Sequence, residues 1–268
     1  MLALMMFVSC EQEKDEQQHQ QLVKFNVSAS GWQVTTRALT ADGQDMTDLW
    51  LFDYMDGELV NTVHQASTDD DFGTPTISMK NGTHTIYLVA SRGKSPAING
   101  TIIEWQQPSD TFWNAVTLNV TPSTTESEAV LDRVATRMRV IVTDEVPEGT
   151  AQLVITPDIW LYGFNYLTGT ATSEQHTERT ISIPSSYIGT SGQLVASIFG
   201  LSDDAEWMTN VSITAKDGDG NSIGTVALAN VPFLRNRTTE VSGSLFGSNT
   251  NFSVSLNDVW QQSYTLGW

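Results

Sequence analysis

The residues best spaced for chemistry are the alternating oxygens of Asp217-Gly218-Asp219-Gly220-Asn221, which have the pattern that opens a calcium-binding loop. The twelfth position, where such a loop needs a bidentate carboxylate, is Leu228, and a strand-like run follows instead of a helix. A hairpin loop is therefore the first reading and a cation site the second. Asp69-Asp70-Asp71 reads the same way, as a solvated loop first and a weak cation site second. Arg133, Arg137 and Arg139 lie on one face of an alternating segment, in a chain with 13 lysines and arginines in all. Pairing with local carboxylates, or lining a contact between two halves, explains them without a ligand; an anion site is the alternative. His19, His64, His84 and His176 are far apart, with no HxxxH or HExxH spacing. No GxSxG, P-loop or dinucleotide fingerprint occurs. Carboxylate pairs for glycoside hydrolysis cannot be picked out among 31 acidic residues. No catalytic residue, metal or cofactor is assigned, and the chain is not expected to be an enzyme.

Cys10 is the one cysteine, which excludes an internal disulfide and a cysteine-based metal cluster. It follows an apolar leader, MLALMMFVS, and Phe7-Val8-Ser9-Cys10 resembles a bacterial lipobox, whose cysteine becomes the acylated first residue of the mature chain. Phe7 stands where leucine is usual, and a free cysteine after an apolar leader is the alternative. Residues 1–10 thus read as a signal remnant with lipobox. The leader lacks a basic segment, so the initiator is expected upstream of Met1. Residues 11–21, EQEKDEQQHQQ, hold nothing to bury and read as an acidic tether. An acidic stretch after such a cysteine resembles the signal that sends lipoproteins of Bacteroidales-type bacteria to the cell surface; a plain spacer is the alternative.

The net charge of −18 and pI of about 4.3 leave no basic stripe for nucleic acid. No 18-residue apolar run exists to cross a membrane as a helix.

From Leu22 onward the elements that must position these groups are strands. Val23, Phe25 and Val27 alternate with polar residues. The runs 48–54 and 58–64 flank Asp56-Gly57, a hairpin signal, and 75–80 and 84–90 flank Asn81-Gly82 in the same way. Trp50, Phe52 and Tyr54 share a strand face, which favours core packing over a sugar-stacking platform for the eight tryptophans. A helical turn is expected near 109–114, then a strand at 115–120. TPSTTESE (121–128) has no apolar residue and reads as a connector. In 129–143 Val134, Met138, Val140 and Val142 form an apolar face opposite the arginines, opening a second strand-rich half. Further strands are expected at 151–156, 159–166, 179–183, 193–199, 210–216, 222–228, 236–242 and 251–256. Short strands at that spacing, in a chain of 268 residues, imply an all-β protein of two tandem sandwiches, 22–126 and 127–268.

The lipobox-like cysteine, Thr36-Arg37-Ala38 after the first strand, the LWLFDYMDGELV hairpin and LDRVATRMRVIVTDEVP together resemble the fimbrillin superfamily of type V pili, most of all its anchor or accessory branch. The resemblance implies two transthyretin-like Greek-key β-sandwich domains in a structural or adhesive surface protein of the fimbrium. It implies partners that are other pilus subunits, joined by strand addition, and the outer membrane, reached through a lipid on Cys10. In stalk members an arginine-specific protease removes the first strand, and a strand of the next subunit fills the groove; anchor members keep theirs. Arg37-Ala38 occupies the place of that cleavage site, with an ordinary loop arginine as the alternative. The final segment, 257–268, could serve as a donor strand or pack on its own domain. A polymerising stalk or tip subunit, and a glycan-binding surface lipoprotein, remain alternatives.

Overall fold

The structure is a computed structural model that describes residues 20–29, 32–35, 38–41, 44–175, 178–247 and 251–257. Alternation shapes nearly every element. In β1 (Gln20–Ala29) Val23, Phe25, Val27 and Ala29 point into a core while the residues between them reach solvent. β2 (Trp32–Thr35), β3 (Ala38–Ala41) and β4 (Gln44–Asp45) form a small antiparallel sheet. β5 (Asp48–Met55) and β6 (Glu58–Ala66) make the expected hairpin, with Asp56 and Gly57 at φ 53° and 83°.

The second expected hairpin does not form. β7 (Thr76–Lys80) pairs with β1, whereas β8 (Gly82–Ser91) pairs with β5 and with β11 (Thr111–Val120). β8 has both edges filled, so the chain at Asn81-Gly82 crosses from one layer to the other. Gly82 suits that crossing: at φ 139° it passes Met55 so closely that a Cβ would lie 2.7 Å from the methionine methyl. β9 (Lys94–Asn99) and β10 (Ile102–Gln107) pair antiparallel. The expected helical turn near 109–114 is instead the start of β11, because Phe112 and Trp113 face two different cores.

The expected connector 121–128 already contains the start of β12 (Glu126–Arg133), which runs parallel to β1 from Lys24↔Glu126 to Ala29↔Leu131. Threonine, serine and glutamate mask this strand, yet Ala129 and Leu131 turn inward. The strand therefore crosses the expected division at 126/127 and belongs to the sheet of the first half. Layers β6-β5-β8-β11 and β12-β1-β7 join only where β11 meets β12, at Phe112↔Arg133 and Trp113↔Asp132. Between them lies a core built on Phe25, Leu49, Leu51, Met79, Ile86 and Leu88.

The second half contributes β13 (Ala135–Val142), β14 (Thr150–Pro157), β15 (Trp160–Asn165), β16 (Thr170–Gln175), β17 (Arg179–Ser182), β18 (Leu194–Leu201), β19 (Trp207–Asp217), β20 (Ser222–Phe233), β21 (Thr238–Gly243) and β22 (Phe252–Leu256). Sheet β18-β13-β21-β22 faces sheet β17-β14-β19-β20 over Met138, Val140, Ile155, Ile213 and Phe233. As in the first half, one pairing at the centre is parallel, β13 with β21.

A further sheet, β16-β15-β10-β9, takes two strands from each half, with Ile103 opposite Phe164. It covers the other face of β5, burying Trp50, Phe52, Trp105, Phe164 and Tyr166. Phe52 stacks on Tyr166 at 3.8 Å between ring centroids, and Trp113 donates its indole N–H to the Tyr166 carbonyl at 2.8 Å. The Trp50–Phe52–Tyr54 stripe is thus core packing between the halves. Burial, and then the hydroxyl contact with Tyr54 at 3.2 Å, push the Tyr166 phenol well above its ordinary pKa. A group raised in the folded state stabilises it below the unfolded pKa and loses that contribution above it. Stability is therefore expected to fall as pH rises beyond about 10. Urea unfolding midpoints measured against pH should show this loss, and Tyr166→Phe should flatten it.

Candidate functional site

The feature with the greatest functional content is the position of β1. It is an interior strand, with β12 parallel on one side and β7 antiparallel on the other. Lys24 N–H donates to the Thr125 carbonyl at 2.9 Å, while Phe25 N–H and Val27 N–H donate to Pro75 and Gly73 carbonyls at 2.9 and 3.0 Å. Val23 and Phe25 are fully buried. Outward, Asn26 donates to the Glu128 carboxylate at 3.0 Å and Leu22 is left exposed. Without β1, β12 and β7 would face each other across a strand-wide gap lined with unpaired backbone groups and the apolar floor of the core. Such a gap is a template for another strand.

Polar residues inside the first sandwich close its far end. Asp53 and His84 sit at inward positions of β5 and β8, fully buried, with Oδ1 and Nδ1 2.6 Å apart. Asn61 donates to the other Asp53 oxygen at 2.9 Å. His84 Nε2 donates to the Lys80 carbonyl at 3.0 Å and Asn61 also to the Ser78 carbonyl at 3.2 Å. These bonds tie the β5–β8 layer to β7, the strand that holds one edge of β1. The signal was in the alternation: Asp53 shares the parity of Leu49 and Leu51, and His84 that of Ile86 and Leu88. Sequence reasoning treated His84 only as one of four scattered histidines and overlooked its pairing with Asp53.

The three arginines separate in role. Arg133 is buried and forks onto Asp110, Nε to Oδ1 at 2.7 Å and Nη2 to Oδ2 at 3.0 Å, with its guanidinium 4.8 Å from the Phe112 ring centre. Its Nη1 donates to Asn236 at 3.2 Å, between β20 and β21, so it also bridges the halves. Arg137 donates to the Thr238 hydroxyl, and Arg139 pairs with Glu240 at 2.8 Å. Arg133 and Arg139 follow the pairing reading.

The acidic loops are likewise self-contained. Asp217 Oδ1 accepts the backbone N–H groups of Asp219 and Asn221 at 3.0 and 2.8 Å. Bonds from the Asn221 side chain and backbone hold its carboxyl below the ordinary range. Asp69 accepts the Ala66 N–H at 2.8 Å. Among the described residues no cluster of three or more His, Cys, Asp or Glu is placed to hold a metal. Nor is any described helix long and apolar enough to cross a membrane. Trp50, Trp105 and Trp160 are buried and Trp113 and Trp207 half-buried, so these five make no exposed sugar-stacking row.

Cys10 and Arg37 lie outside the described residues, as does 258–268. Ala38 opens β3, and the strands flanking Arg37 in sequence pair with Thr35 opposite Ala38.

The profile of a family of unknown function, DUF6562, matches residues 98–266. No curated protein matches the chain in sequence. Among solved structures, the fimbrial anchor protein Mfa2 of Porphyromonas gingivalis is similar with a TM-score of 0.53 at 12% identity, over 92% of this chain and 100% of that one. A fimbrial assembly protein of Parabacteroides distasonis gives 0.52 at 10%, over 89% and 99%. A candidate adhesin of Bacteroides thetaiotaomicron gives 0.54 at 12%, over 88% and 96%. At these identities the likeness establishes the fold, and it extends over nearly the whole of each chain.

Proposed function

We propose that this chain, which belongs to the DUF6562 family of unknown function, is an anchor or accessory subunit of a cell-surface fimbrium. On this reading it acts in adhesion and joins other pilus subunits by strand addition, without catalysis. The observation that carries the proposal is β1 seated between β12 and β7, because removing or exchanging one strand there converts a closed sandwich into a receptor for another. The fold shared with a fimbrial anchor and a fimbrial assembly protein supports it.

In this reading Cys10 carries lipid and residues 11–21 tether the folded part to the outer membrane, with the protein facing outward. Cutting after Arg37 would separate β1 and the lipid from the rest. An anchor loses its tether by such a cut, so β1 is retained; the alternative is a polymerising stalk or tip subunit in which it is not. Cys10→Ala is expected to move the protein almost entirely from the membrane to the soluble fraction in a host that processes lipoproteins. Several acyl chains give a firm hold where one gives a marginal one. Fractionation and immunoblotting check this, and an unchanged distribution would remove the lipid anchor.

A further inference from the structure

A cleft of about 340 Å³ opens between the halves, walled by Arg92 and Lys94 on one side and Arg179 on the other, with Ile198 and Phe199 nearby. Three of the chain's 13 basic residues line it, and no aspartate or glutamate does among the described residues, in a protein with 31 acidic residues. That is the reverse of the charge expected from composition.

Arg179 is held in place by its Nη1, which donates to the Gln106 carbonyl at 3.1 Å. Its Nη2 is buried with no hydrogen-bond partner. Leaving a charged donor buried and unanswered is costly, and burial lowers the pKa of this guanidinium. A negatively charged oxygen entering the cleft would supply a countercharge to Arg179, which lines it together with Lys94. The cleft volume falls within the range of small-ligand pockets.

We propose that this cleft is an oxyanion-binding site, taking a carboxylate or sulfate group of a small ligand between Arg92, Lys94 and Arg179. The site stands apart from the β1 slot and does not rest on the fimbrial reading.

The test is isothermal titration calorimetry of the full chain in low-salt buffer at pH 7, with sodium sulfate, sodium glucuronate and neutral glucose as probes. At least one of the two anions is expected to bind, and glucose not. Lys94→Gln removes an exposed charge and should weaken anion binding by roughly threefold or more. Arg179→Gln should weaken it roughly tenfold or more. Lys216→Gln, on β19 and outside the cleft, should leave it unchanged. Because Lys94 is exposed, its variant keeps the test valid even if Arg179→Gln fails to fold. Tighter binding of glucuronate than sulfate would identify the carboxylate as the preferred group, and the reverse order the sulfate. Absence of binding by both anions, or equal weakening by all three variants, would overturn the site.

Discussion

Phe25→Ala is expected to destabilise the first sandwich by about 3–5 kcal/mol, the cost of emptying a fully buried aromatic site. Phe25 lies at the centre of β1, with no exposed surface, and its neighbours Val23 and Val27 are buried beside it. The surrounding strands cannot collapse onto the void, because β12 and β7 are separated by the width of β1 itself. Leu22→Ala, three residues earlier on the opposite, exposed face of β1, should change stability by only a few tenths of a kcal/mol. Chemical denaturation of the two variants checks the contrast. Equal, small effects would mean that β1 contributes little and that the slot is not held by packing.

The second large effect is expected at Arg133. Arg133→Ala leaves Asp110 buried without its fork and removes the cation above Phe112, a loss of about 3–5 kcal/mol. Both partners are almost wholly buried, at 6% and 5% side-chain exposure. Arg139→Ala breaks a more accessible pair, at 16% and 28%, and should cost about 1 kcal/mol or less through the ion pair itself. The two arginines sit on one sequence face six residues apart, so unfolding midpoints of this pair separate burial from charge. Because Arg133 also reaches Asn236, its loss should loosen the junction of the halves; the exchange of amide protons in β21 would report that.

Much of this architecture was legible in the alternation of apolar and polar residues. Val23–Val27, Trp50–Phe52 and Met138–Val142 face the cores on which their parity placed them, and Asp56-Gly57 turns as its sequence demands. What parity cannot convey is the partner. Asn81-Gly82 has the composition of a hairpin turn, yet its flanking strands lie in different layers because β8 already has two neighbours. β12 hid behind hydroxyls and carboxylates, since a strand with one exposed face needs only every second residue apolar. β9, β10 and β16 escaped notice for a related reason. Their sheet is assembled from both halves, and β9 and β16 bury no side chain fully, so neither carries a clear pattern of its own. The anion cleft was invisible too, as Arg92 and Arg179 are far apart in sequence and meet only through the fold. The Arg133 fork was half legible: three arginines on one face suggested ion pairs, but not that one would be buried against Asp110.

Limited digestion of the folded, lipid-bearing chain with an arginine-specific protease tests most directly whether β1 stays in its slot, as an anchor requires. Mass spectrometry and sizing would follow the products. The account predicts that the protein survives with residues 20–29 still attached, remains monomeric and keeps its membrane association. Rapid, selective cutting after Arg37, with loss of β1 and growth of ladder-forming oligomers, would contradict it and make this chain a polymerising subunit.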